Sequence, residues 1–165
     1  MTGDVLFVEG TGPISWLIKK VTNGKWSHVA LFIDEETLIE TEWNTKCRLI
    51  NINDTDYLTK KHEIIHVPFD DKDKELLNVA IYPFLGAKYD YLLLVKLFFK
   101  YILKIGFKRN TPQKVVCSEL VAHVLLILGF FNYNEFGVTS ASPNELYNIL
   151  VNKFGRCLNW KLYKR

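Results

Sequence analysis

The chain has 165 residues, 48% hydrophobic and 14% aromatic. That length suits one domain spanning residues 1 to 165, and the apolar content suffices for a sizeable core, which argues against disorder. The net charge is +3, from 21 basic and 18 acidic residues, and the lysines are scattered along the sequence. Without a dense basic run, nucleic acid is not an expected partner.

The first strand signal is DVLFV (4–8), a short buried run. PISWLIKKV (13–21) follows, with proline at the first helical position and Ile14, Leu17, Ile18 and Val21 on one face. Asn23-Gly24 marks a turn. HVALFI (28–33), TLIETE (37–42) and CRLINI (47–52) read as three further strands, and the acidic DEE suits a hairpin between the first two. EIIHV (63–67) is another strand, closed by Pro68.

The second half is mostly helical. DKDKELLNVAIYPFLG (71–86) has Asp71 as its cap candidate. YLLLVKLFFKYILKIGF (91–107) is the most apolar stretch, but Lys96, Lys100 and Lys104 recur every fourth residue as one polar stripe. A membrane span needs about 20 apolar residues with few charges, so an amphipathic core helix is the favoured reading. A lipid or membrane surface facing 91–107 is the lesser one. VVCSELVAHVLLILG (115–129) reads as a helix closed by Gly129, and SPNELYNILVNK (142–153) as another, starting after Ser142. RCLNWKLY (156–163) reads as a final strand. The expected class is α+β, an N-terminal meander packed against helices.

Three cysteines, Cys47, Cys117 and Cys157, are odd in number and widely spaced, which makes a poor disulfide framework. The start, MTGDVLFVEG, carries an acid and lacks the basic and apolar regions of a signal peptide. Cytoplasmic synthesis with reduced thiols is therefore expected, with no transmembrane segment.

HEIIH (62–66) matches the zinc-protease pattern, which needs both histidines on one helical turn. Here Ile64, Ile65 and Val67 are β-branched and Pro68 follows at once, so a strand is expected. Residues four apart on a strand lie roughly 13 Å from each other. A zinc ion with ligands at about 2 Å cannot bridge them. No metal is expected, and His62 and His66 should face solvent.

Cys117 stands near the front of an apolar helix, where the partial positive charge of a helix N-terminus favours a thiolate. Val121, Val124, Leu125 and Leu128 follow on its face, so it points toward the core. That suits a small core residue and a nucleophile aimed at a sheet equally. Thr111-Pro112 is a rival start for the helix. His28, which opens an apolar strand, is the best base for such a nucleophile. His123 lies on the opposite helix face from Cys117 and suits an i, i+4 pair with Glu119. Glu40 and Glu42, two apart on the strand paired with that of His28, share a face and are both candidates to orient the imidazole. Asn44 is a further polar candidate.

In that order, GDVLFV, WSHVALFI, LIETE, GAKYDY and VVCSELVAHVL resemble the circularly permuted branch of the NlpC papain-like superfamily, in particular its YiiX-like members. The resemblance runs from about residue 3 to about residue 150. SHVALFI and VCSELV are its specific pieces. It implies a permuted papain-like fold, an antiparallel sheet or partial barrel packed against helices. It further implies Cys117 as nucleophile, His28 as base and a glutamate as orienter. The family's EA pair matches Glu40-Thr41, with threonine for alanine, which leaves Glu42 as the alternative orienter. Trp26, Tyr89 and Ser118, beside the matching motifs, are candidates for lining the substrate site. The activity implied is a cysteine hydrolase, a peptidase or amidase, acting on a peptide- or amide-containing substrate such as a cell-wall-type peptide. The alternatives are an acyltransferase or thioesterase acting on lipid acyl groups with the same residues, and a catalytically retired binding module. No cofactor is implied.

Overall fold

The computed structural model describes residues 1–89, 114–132 and 142–155. The expected helix at 91–107, the expected strand at 156–163 and Cys157 fall outside these residues.

Five strands form one antiparallel sheet. They are β1 (Val5–Val8), β2 (His28–Phe32), β3 (Thr37–Glu40), β4 (Arg48–Asn51) and β5 (His62–Ile65), in the order β4-β3-β2-β1-β5. Every residue of β1 and β2 is buried, which explains why they read as continuous apolar runs rather than alternating ones. Val5, Phe7, Val29 and Leu31 belong to one core; Leu6, Val8, Ala30, Phe32 and Leu38 join Ile52 and Tyr57 in a second. The sheet is open, with β4 and β5 at its edges, and is the antiparallel sheet packed against helices that was expected.

The β2–β3 hairpin closes as its acids suggest: Asp34 Oδ1 accepts from the backbone N–H groups of Glu36 (2.9 Å) and Thr37 (2.7 Å). HEIIH is strand, not helix. Its Glu63 is held by Lys25 Nζ at 3.1 Å and by the Tyr147 hydroxyl at 2.5 Å. His62 Nδ1 lies 2.9 Å from the Lys60 carbonyl, and the exposed His66 places Nδ1 2.7 Å from Asp4.

Four helices are described: α1 (Pro13–Thr22), α2 (Asp71–Ile81), α3 (Cys117–Ile127) and α4 (Pro143–Phe154). Leu77 of α2, Leu120, Val124 and Leu125 of α3, and Leu146 and Leu150 of α4 cover the first core. Helix α1 has proline at its start as expected, but its apolar face is only half-buried. The cap of α2 is Asp70, not Asp71. Asp70 accepts from Asp73 N–H at 2.8 Å, and Asp73 accepts from Asp70 N–H at 3.0 Å. Both residues are capable caps; the reciprocal box with an acid three residues on selects the first. Ser142 and Glu145 cap α4 in the same way. Among the described residues no helix is long and apolar enough to cross a membrane.

A two-stranded parallel ladder, β6 (Lys88–Tyr89) with β7 (Lys114–Val115), has no counterpart in the sequence reading. Two-residue strands carry no period to read. This ladder settles where α3 starts, because Lys114 and Val115 are extended and the helix opens at Cys117 itself.

Candidate active site

Helix α3 packs against β2 and brings its first residue to the histidine that opens that strand. Cys117 is 4% exposed. Its preceding residue, Val116, offers no side-chain cap, so the first N–H groups of α3 are not answered by a capping side chain. Cys117 is close enough to His28 to favour its charged form, and His28 Nε2 lies 3.0 Å from Glu40 Oε2, which leaves Nδ1 outside that contact.

Glu40 reaches His28 diagonally. Leu31 pairs with Ile39 and Phe32 with Leu38, so continuing the register sets Ala30 beside Glu40. A diagonal neighbour is within reach of a long side chain. The expected pair of glutamates on one strand face is not present. Strand β3 ends at Glu40, and the chain then turns, with Thr45 N–H donating to the Glu42 carbonyl at 3.0 Å. Glu42 is half-buried in that turn and its carboxylate faces the Tyr57 hydroxyl. Asn44 is exposed in the same turn.

Glu40 is completely buried, and three side chains answer its charge. Besides His28, the Tyr57 hydroxyl donates to Oε2 at 2.5 Å, and Arg48 donates to Oε1 through Nε (3.2 Å) and Nη2 (3.0 Å). Arg48 is the direct cross-strand partner of Glu40. Tyr57 also lays its ring against the imidazole, 5.1 Å between centroids. Neither residue belongs to the expected set. Arg48 follows from pairing β3 with β4 once the register is known; Tyr57 sits in the aperiodic NDTDYLTK segment, where no pattern marks it.

These contacts set the titration of the dyad. Burial works against a charge on His28, but hydrogen bonds and charge attraction from Cys117 and Glu40 outweigh it and lift the imidazole from 6.5 to about 10. Burial likewise opposes ionised Glu40, yet His28, Tyr57 and Arg48 together bring it down from 4.5 to about 2. Cys47, buried and near the Glu40 charge, is pushed up to about 12 and stays a neutral thiol.

The other candidates have different surroundings. Trp26 is 2% exposed and packs against Phe7 and Tyr147. Ser118 is buried in the first turn of α3. Tyr89 lies in β6, and its side chain is outside the described residues. His123 Nδ1 lies 2.8 Å from the Glu119 backbone carbonyl, so that contact is to the main chain rather than the expected carboxylate.

The solved structure of the metalloprotein yiiX from Escherichia coli O157:H7 aligns with 94% of this chain and 82% of its own, with a TM-score of 0.60 and 17% identity. The chain shares the yiiX fold. No family model matches the chain, and no curated protein does.

The word metalloprotein raises the question of whether this chain could hold a metal. A metal site gathers three or more donors around one point. Among the described residues no three His, Cys, Asp or Glu side chains do so. Cys117, His28 and Glu40 form a row with the imidazole between the other two, and the Glu40 oxygens are already engaged by His28, Tyr57 and Arg48. The described residues do not fit a resident metal.

Proposed function

We propose that the chain is a cysteine hydrolase of amide bonds, a single domain on a circularly permuted papain-like fold. The observation that carries this reading is the position of His28, held between a thiol at a helix N-terminus and a fully buried carboxylate. A core cysteine needs neither a partner histidine nor a buried acid behind it. The yiiX likeness supports the fold; the chemistry rests on the site.

In this reading Cys117 is the nucleophile, His28 its base and Glu40 the group that orients the imidazole and stabilises its charged form. The thiolate attacks the amide carbonyl, and a C–S bond forms. The backbone N–H of Cys117 is one donor to the resulting oxyanion, since the first N–H groups of a helix have no partner within it. His28 then gives its proton to the departing amine as the C–N bond breaks. Water, deprotonated by His28, attacks the thioester, releases the acid and restores the pair. The substrate class is peptide- or amide-containing, with cell-wall-type peptides as the leading candidates. The lipid acyl-transfer alternative drew on residues 91–107, and no described feature favours it.

The test is thiol alkylation with intact-mass readout. Iodoacetamide at neutral pH is expected to label Cys117 before Cys47 and Cys157, and Cys117→Ala to lose the fast phase and all turnover. Equal labelling of all three thiols in the folded protein overturns the reading.

A further inference from the structure

Lys46 and Lys88 face each other across an isolated antiparallel bridge, and Lys114 takes the next register position, paired with Lys88 along the β6–β7 ladder. Directly opposed residues in such a bridge project on the same side, with Cα atoms about 4.5–5.5 Å apart. Like charges so placed repel and weaken the pairing. Both Lys46 and Lys88 are exposed, and among the described residues neither has an acidic partner. The other exposed base beside them, Arg48, is committed to Glu40.

This row runs to Cys117 at one end and to Glu40 at the other. Lys114 precedes Cys117 by three residues, at most about 11 Å of chain. Lys46 precedes Arg48 by two, with the buried Cys47 between them, so both bases face outward where Arg48 grips the histidine's carboxylate. An anion seated between Lys46 and Lys88 would turn the repulsion into attraction, one ladder step and three residues of chain from Cys117.

We propose that Lys46 and Lys88 bind a carboxylate of the substrate, so that the enzyme selects amides bearing an anionic group next to the bond it cuts. The proposal rests on the cysteine-hydrolase reading and adds the substrate's charge to it.

Two alkylating probes of equal length test it: iodoacetyl-glycine, which ends in a carboxylate, and iodoacetyl-glycinamide, which does not. In both, the Cys117 sulfur forms the S–C bond as iodide leaves. The quantity read is the ratio of the two labelling rates at Cys117. Reversing both charges, Lys46→Glu with Lys88→Glu, is expected to lower that ratio about fivefold at 10 mM salt, with the difference largely gone at 1 M salt, where screening acts within about 3 Å. The neutral pair, Lys46→Gln with Lys88→Gln, should lower it about twofold, and carries the test if the charge-reversed protein fails to fold. An unchanged ratio in a folded variant overturns the proposal while leaving the hydrolase reading in place. Failure of both probes to label Cys117 in the wild type overturns the hydrolase reading and this proposal with it.

Discussion

Glu40 is a fully buried charge, which is tolerated only where hydrogen bonds replace its lost hydration. His28, Tyr57 and Arg48 supply them, and this sets two expectations. Glu40→Gln keeps the volume but removes the charge that stabilises the imidazolium, so turnover and Cys117 labelling should slow about 10²-fold, the low end for acid–base effects. Glu42→Gln should stay near wild type, because Glu42 lies in the turn beyond the strand. Labelling rates for both variants decide it, and a loss carried by Glu42→Gln instead refutes the assignment. Tyr57→Phe keeps the ring against His28 and removes the hydroxyl from Glu40. A lost hydrogen bond to a charged group costs about 1.5–3 kcal/mol, which urea unfolding would register. A change below about 0.5 kcal/mol would mean that Glu40 needs no hydroxyl.

At the scale of elements, the α1–β2 connection is fastened to α4 by one side chain. Asn144 Oδ1 accepts from Trp26 N–H at 2.8 Å, while Nδ2 donates to the Trp26 carbonyl and to Thr22 Oγ1, both at 2.9 Å. A Cβ at Gly24 would overlap that amide, so close approach requires the glycine, while Asn23 before it takes the turn's left-handed conformation (φ 47°). Asn144→Ala strands a partly buried N–H and should cost about 1–3 kcal/mol, a fall in Tm of roughly 2–12 °C for a chain of this size. Gly24→Ala should hurt less in the Asn144→Ala background than in wild type, since the clash is gone; purely additive losses in a double-mutant cycle would refute the clasp. Long-range clasps of this kind are what the sequence hides. Apolar runs, the proline at α1 and the capping box of α4 are local, and the elements they mark were legible. The end of β3 was not, because the alternation of LIETE continues through Glu42 although the chain has already turned. Cys117 and His28 were legible as candidates because each opens an apolar element, whereas Arg48 and Tyr57 matter only through the register and loop that carry them to Glu40.

For the whole molecule, the buried dyad ties stability to pH. Glu40 titrates near 4.5 when unfolded and near 2 when folded, so its contribution is present above 4.5 and is lost as pH falls through 2. His28 has the opposite sign. Its folded value of about 10 against 6.5 makes its contribution complete below 6.5 and lost as pH rises through 10. The two groups together are most favourable between about pH 4.5 and 6.5. The acid limb is the cleaner test, because His28 is protonated in both states there and drops out of the slope. Asp4, which burial raises against the lowering effect of His66, pulls the other way on that limb, but equally in wild type and in a Glu40 variant. A shift of the size seen for Glu40 is worth on the order of 3 kcal/mol, of which about 2 should vanish between pH 5 and pH 3. Urea unfolding of wild type and Glu40→Gln at the two pH values isolates this term. Wild type should lose about 2 kcal/mol more than the variant over that interval, and parallel losses would mean that the Glu40 carboxylate is not held ionised by the fold.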